Sequence, residues 1–143
     1  MGELLCEMDR EVVCIINLKS DGTPINCNFA SMGAINQAIV EPREIFESAI
    51  LSNAAAMIMV HNHPSGNLEP SKEDTMITDR ILTLSAYMGI PLKDHVIVGG
   101  DNSGYFSFKE KELLKMPKVS LTQNYHYLNF GQSAMVAERG KSR

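Results

Sequence analysis

This chain has no tryptophan and only three cysteines, Cys6, Cys14 and Cys27. The count is odd and no two cysteines form a C-x-x-C pair, which argues against a disulfide framework or a cysteine-rich zinc site. Long apolar runs are also missing. The longest, Ala54 to Val60, has seven residues, whereas a membrane-spanning helix needs about 20. The start, Met1-Gly2-Glu3-Leu4-Leu5-Cys6, lacks the basic-then-apolar layout of a secretory signal. The expectation is a cytoplasmic protein that does not engage membranes. Basic residues are scarce in the body. Residues 1–108 carry a net charge of −8, and residues 109–143 carry +4. Phosphate contacts need basic side chains, so the body is a poor nucleic-acid platform, and only the tail leaves that partner open.

What is present suits one globular domain. The chain has 143 residues, 44% hydrophobic and 21% charged. At this size roughly 70% of the unfolded surface is buried on folding, so no covalent staples are required.

Residues 11–18, β-branched and apolar, read as a buried strand. Ser20-Asp21-Gly22 is a turn signal. Rough alternation over residues 24–33 completes a hairpin. Pro42 opens a helix, with Ile45, Phe46, Ala49 and Ile50 on one face and Ser52-Asn53 at its end. Ala54 to Val60 is a second buried strand, which leads into His61-Asn62-His63 and stops at Pro64. Ser71 begins the longest helix, which Gly89 closes. Residues 94–99 form a third core strand, and Tyr105–Phe108 a short one. Lys109 to Lys115 is expected to make a short helix. Strands alternating with helices give an α/β sandwich with a mixed sheet. Beyond Pro117 the periodicity is lost.

The informative segment runs from His61 to Asp74. Residues two apart on a strand share a face, so His61 and His63 can converge on one point. Asp74 follows His63 by eleven residues, on the first turn of the long helix. Two imidazoles and one carboxylate with a fourth position open are the ligand set of a catalytic zinc site. Ser71 and Asp74 also read as a capping box, Ser-x-x-Asp before an apolar-periodic run. The two readings are compatible, since Asp74 can cap with one oxygen and bind metal with the other.

His-x-His-Pro, six residues and Ser-x-x-Asp resemble the JAMM motif of JAB/MPN metalloproteases, with every fixed position met. The longer form His61-Asn62-His63-Pro64-Ser65-Gly66 is similar to the RadC family, the bacterial JAB-domain proteins named for DNA repair. Pro42-Arg43-Glu44-Ile45-Phe46, Asp94-His95-Val96-Ile97-Val98-Gly99 and Tyr105-Phe106-Ser107-Phe108 resemble further segments of it. The likeness covers roughly residues 8–112. RadC proteins often carry an N-terminal helix-hairpin-helix segment, which the ten residues ahead of Glu11 do not match. Leu121–Arg143 resembles nothing in the family.

The resemblance implies a cytidine-deaminase-like α/β sandwich, with a JAB/MPN-like domain over 1–115 and a tail over 116–143. It implies Zn2+ held by His61, His63 and Asp74. Ser71 matches the motif serine that helps stabilise an oxyanion. Glu11, before the first core strand, matches the catalytic glutamate, and Glu44 is the alternative base. By the family pattern Asp94 and His95 are candidates for accepting the histidines' second N–H, the alternative being that they are ordinary strand-end hydrogen bonders. The implied activity is zinc-dependent hydrolysis of an amide bond in a peptide or protein. JAB domains often pair, so a homodimer is expected by analogy. The alternatives are a non-catalytic DNA-repair factor and a JAB fold without turnover. A zinc deaminase would need H-x-E and P-C-x-x-C, and this chain has neither.

Overall fold

In a computed structural model the chain is described over residues 11–32, 40–100 and 104–120. Among these described residues five strands and two helices follow one another: β1 (Val12–Leu18), β2 (Pro24–Met32), α1 (Pro42–Leu51), β3 (Ala56–His63), α2 (Lys72–Met88), β4 (Leu92–Gly99) and β5 (Tyr105–Ser107). The strands form one sheet in the order β2-β1-β3-β4-β5. Only β3 and β4 run parallel, with α2 as their crossover; the other neighbours are antiparallel. This is the single α/β domain with a mixed sheet that the pattern predicts.

Register decides which side chains face the helices. Val13 pairs with His61 and Ile15 with Met59, while His95 lies beside Met59 and Ile97 beside His61. Strand side chains alternate, so these residues share one face of the sheet. That face packs against α1 and α2 in the main core, where Ile15, Ile45, Met59 and Ile81 are all 1% exposed or less. Burying an isoleucine of this kind contributes about 1.5–3 kcal/mol. The opposite face carries a smaller cluster of Val12, Cys14, Val60 and Val98.

The helices begin and end where their caps predict. Pro42 stands at the first position of α1, with Glu41 ahead of it. Ser71 caps α2, and Gly89 closes it at a φ of 72°, a left-handed conformation that glycine adopts without steric cost. Gly100, just past β4, has another reason to be glycine. A Cβ there would sit 2.5 Å from the Pro64 carbonyl oxygen, so its bareness lets β4 lie close to the end of the histidine strand.

Two expectations are corrected. Lys109 to Lys115 does not form a helix. It makes hydrogen-bonded turns, and Glu112 takes a left-handed φ of 56° that breaks a right-handed spiral. Cys14 and Cys27 are not unpaired; they are joined as a disulfide, with a Cα separation of 6.6 Å. The hairpin is the reason. Cys27 faces Ile16 across the β1–β2 pair, one diagonal step from Cys14, and a search for close sequence spacings does not see that neighbour. Cys6 and most of the 116–143 tail lie outside the described residues.

Candidate metal centre

β3 delivers both histidines at its C-terminal end. Strand parity puts His61 and His63 on the helix-covered face, and α2 begins at that same end because it is the return crossover. Asp74 is therefore in reach through its place in the first helical turn. Glu11 immediately precedes β1. It shares the parity of Val13, which lies directly across from His61.

The four side chains meet. His61 Nε2 is 2.7 Å from Glu11 Oε1, and His61 Nδ1 is 3.0 Å from Asp74 Oδ1. His63 Nε2 is 2.9 Å from Asp74 Oδ2. One ligand atom from each of Glu11, His61, His63 and Asp74 can be chosen so that all lie within 4.8 Å of one another. His61 is buried at 4% exposure. This donor set fits a transition-metal ion: neutral imidazole nitrogen and carboxylate oxygen are ordinary zinc ligands.

Asp74 caps the helix and also faces both histidines. Ser71 Oγ accepts from the Asp74 N–H at 3.0 Å, while Asp74 Oδ2 accepts from the Ser71 N–H at 2.8 Å, closing the capping box. Burial opposes ionisation of this carboxyl, but hydrogen bonds from His61, His63 and Ser71 outweigh it and hold Asp74 well below the usual carboxylate range. The Ser71 hydroxyl spends a lone pair on the cap, so its own proton is available to donate.

His63 has oxygen at both ring nitrogens. Nδ1 donates to the Asn67 carbonyl at 2.7 Å, and Nε2 faces Asp74. The Asp74 hydrogen bond, opposed by burial and aided by Asn67, raises its pKa above the ordinary imidazole value. A metal ion at Nε2 would take the place of that proton, so metal uptake is coupled to proton release. Asn67 is the second acceptor that a metal-bound histidine ordinarily needs. It acts through its backbone, so no residue type in the sequence announces it.

The other candidates sit elsewhere. Glu44 is exposed on the first turn of α1 and does not line the cleft that holds the cluster. Asp94 is structural: it accepts from Ser107 Oγ at 2.6 Å, the His95 N–H at 2.7 Å and the Lys109 N–H at 3.0 Å, tying β4 to the turn after β5. His95 is fully buried, stacked 4.8 Å from Phe108 and 6.0 Å from His61. Thr78 Oγ1 donates to the Asp74 carbonyl at 2.6 Å and is 2.5 Å from His95 Nδ1. With the threonine proton committed to that carbonyl, His95 Nδ1–H must be the donor of the second bond. Nε2 then carries a lone pair and has no hydrogen-bond partner among the described residues. Burial first, then the neighbouring His61, pushes the His95 pKa down to about 3.

Two contributors escape sequence reasoning. Asn62 stands between the ligand histidines, and its Oδ1 accepts from the Val12 N–H at 2.5 Å. It pins the backbone one residue after Glu11. Thr78 links His95 to the turn that carries Asp74. Both look like spacers in the sequence.

A mixed sheet whose central strand presents two histidines to a helix-borne aspartate defines a JAB-type α/β domain with a candidate metal centre. The sequence agrees: residues 1–113 match the RadC-like JAB domain family, and the chain belongs to that family. Among its relatives are UPF0758 proteins of Salinibacter ruber (46% identical over 99 residues, 69% of this chain and 42% of the relative), Rubrobacter xylanophilus (40% over 110 residues, 77% and 47%) and Thermotoga maritima (42% over 104 residues, 73% and 46%). The chain thus spans less than half the length of these relatives. No helix of the described residues is long and apolar enough to cross a membrane.

Proposed function

We propose that this chain is a metal-dependent hydrolase of amide bonds in a peptide or protein, with zinc as the metal. The observation that carries the reading is the convergence of Glu11, His61, His63 and Asp74 at the wall of an open cleft of about 1340 Å³. His61, His63 and Asp74 would hold the ion, leaving Glu11 beside it. A zinc ion bound there supplies Lewis acidity and lowers the pKa of its water from 15.7 to about 7.

The residues then divide the remaining work. Glu11 accepts a proton from the attacking water and returns it to the leaving amine, a role typically worth 10²–10⁴ in rate. Asn62 holds Glu11's backbone in register for both transfers. The Ser71 hydroxyl donates to the oxygen that becomes negative at the carbonyl under attack. The buried Thr78–His95 pair fixes the turn that presents Asp74. One water is consumed: its oxygen bonds to the carbonyl carbon as the C–N bond breaks, and its proton passes through Glu11 to the departing amine, with no change of oxidation state.

The test is metal analysis combined with peptide-library cleavage. Stoichiometric zinc should copurify with the chain and be lost in His61→Ala. Glu11→Gln should keep substrate binding and lose cleavage. Absence of stoichiometric metal, or unchanged cleavage in Glu11→Gln, rejects this assignment. Bound zinc without cleavage would favour the non-catalytic alternative.

A further inference from the structure

The cleft beside the metal centre is uneven in charge and polarity. Its apolar lining includes Val13, Val40 and Met59, which are buried in the core, and Met76 and Ile77 of α2, of which Met76 is exposed and Ile77 half-buried. Arg80 is the only lysine or arginine among the described residues that line it. Met76, Ile77 and Arg80 lie on one flank of α2, since residues three and four apart are helix neighbours. Positions three and four before Arg80 are Ile77 and Met76, and those three and four after it are Thr83 and Leu84. No carboxylate therefore occupies an intrahelical partner position. The ion pairs among the described residues all belong to the histidine cluster, and Arg80 is exposed and takes part in none of them. Glu69 and Glu73 also line the cleft.

Building on the hydrolase reading, we infer that Arg80 makes this cleft selective for peptides that carry an acidic side chain beside an apolar one. The apolar side chain packs on the Met76–Ile77 flank of α2, where Met76 is exposed and Ile77 half-buried, and the carboxylate pairs with the Arg80 guanidinium. Arg80 follows Asp74 by six residues, about 9 Å along the helix axis. An extended peptide advances about 3.3 Å per residue, which places the acidic residue two to three positions from the scissile bond. A lysine or arginine at that position meets Arg80 as a like charge and is rejected.

The probes are short fluorescent peptides that contain leucine, with Asp, Asn or Lys two or three positions away. Binding is measured by anisotropy to the metal-loaded full chain carrying Glu11→Gln, so that turnover does not consume the probe. The Asp peptides should bind about two- to fivefold more tightly than the Asn peptides, the range of an exposed ion pair, with the gap closing as salt rises. Arg80→Ala should erase the difference, and Arg80→Glu should turn the preference toward Lys. Equal binding of Asp and Asn peptides, no binding of either, or an unchanged preference in Arg80→Ala overturns the inference. The chain with native Glu11 separates this from the underlying reading. Charge-selective binding without cleavage removes the hydrolase and leaves the Arg80 subsite standing. Cleavage of Asp and Asn peptides at equal kcat/KM does the reverse.

Discussion

Replacing His95 with phenylalanine should flatten the acid side of this protein's stability profile. His95 is fully buried, and its pKa falls from 6.5 to about 3. Between those values the unfolded chain binds a proton at this residue and the native chain does not. Stability therefore rises with pH across that window, and acidification removes it. With an unfolded value of 6.5 and a folded value of about 3, the loss between neutral pH and pH 5 is about 2 kcal/mol. His63 works in the opposite sense. Its raised pKa contributes stability that is complete below 6.5 and is lost as pH rises through the folded value. Both proteins keep His63, so it cancels in the comparison. Phenylalanine retains a flat ring against Phe108, and Thr78 keeps its bond to the Asp74 carbonyl. The assay is urea unfolding of wild type and His95→Phe from pH 7.5 to 5, in chelator so that metal binding adds no linkage of its own. The difference in stability between the two should shift by about 2 kcal/mol over that range, whatever its starting value. Parallel profiles would mean that His95 is not held neutral, and the tautomer assigned through Thr78 would fall with it.

Ser71→Ala should cost about 1 kcal/mol through the lost cap and slow hydrolysis by about 10²–10³; a variant that is destabilised but fully active would leave Ser71 only its capping role. Asn62→Leu should lower stability by about 1–3 kcal/mol, because the buried Val12 N–H loses its acceptor. It should also reduce kcat while zinc content stays at the wild-type level, and a variant with normal kcat would show that Glu11 needs no such anchor. Cys27→Ser should lower stability by about 2–3 kcal/mol in oxidising buffer, as expected for closing a short loop, with the difference vanishing once both proteins are reduced; a difference that survives reduction would assign the effect to packing.

The sequence makes the frame legible where chemistry is local. Pro64 ends the histidine strand, Pro42 starts α1, and Ser71 and Gly89 bracket α2, because each acts on backbone within a residue or two of itself. The histidine pair is legible for the same reason, since a period of two needs no tertiary information. Glu11 is harder. Its parity matches His61 only once β1 is known to pair with β3 in the observed register, and the family likeness supplies that step in place of physics. Contacts that join distant elements are not legible at all. Cys14 finds Cys27 across a hairpin, Thr78 finds His95 across a helix-to-strand gap, and Asn67 contributes an atom that every residue possesses. The turn at Lys109–Glu112 shows the converse. Its composition suits a helix, but Ser107 and Asp94 capture its first N–H groups, and Glu112 reverses the backbone hand.

The capping box and the candidate metal centre are one device. A helix N-terminus leaves N–H groups unpaired and favours negative charge. Asp74 answers that need with Oδ2, which fixes its χ angles before any ion is considered. Oδ1 is thereby aimed at His61, and the same Oδ2 lies against His63. A carboxylate positioned only by its metal would have to be ordered when the ion arrives, at a cost in side-chain entropy. Here the folding of α2 has already ordered it. The bland reading of Ser71-x-x-Asp74 as a cap therefore does not compete with the functional one. It explains how a surface-accessible helix start can hold a ligand rigidly enough for the chemistry proposed.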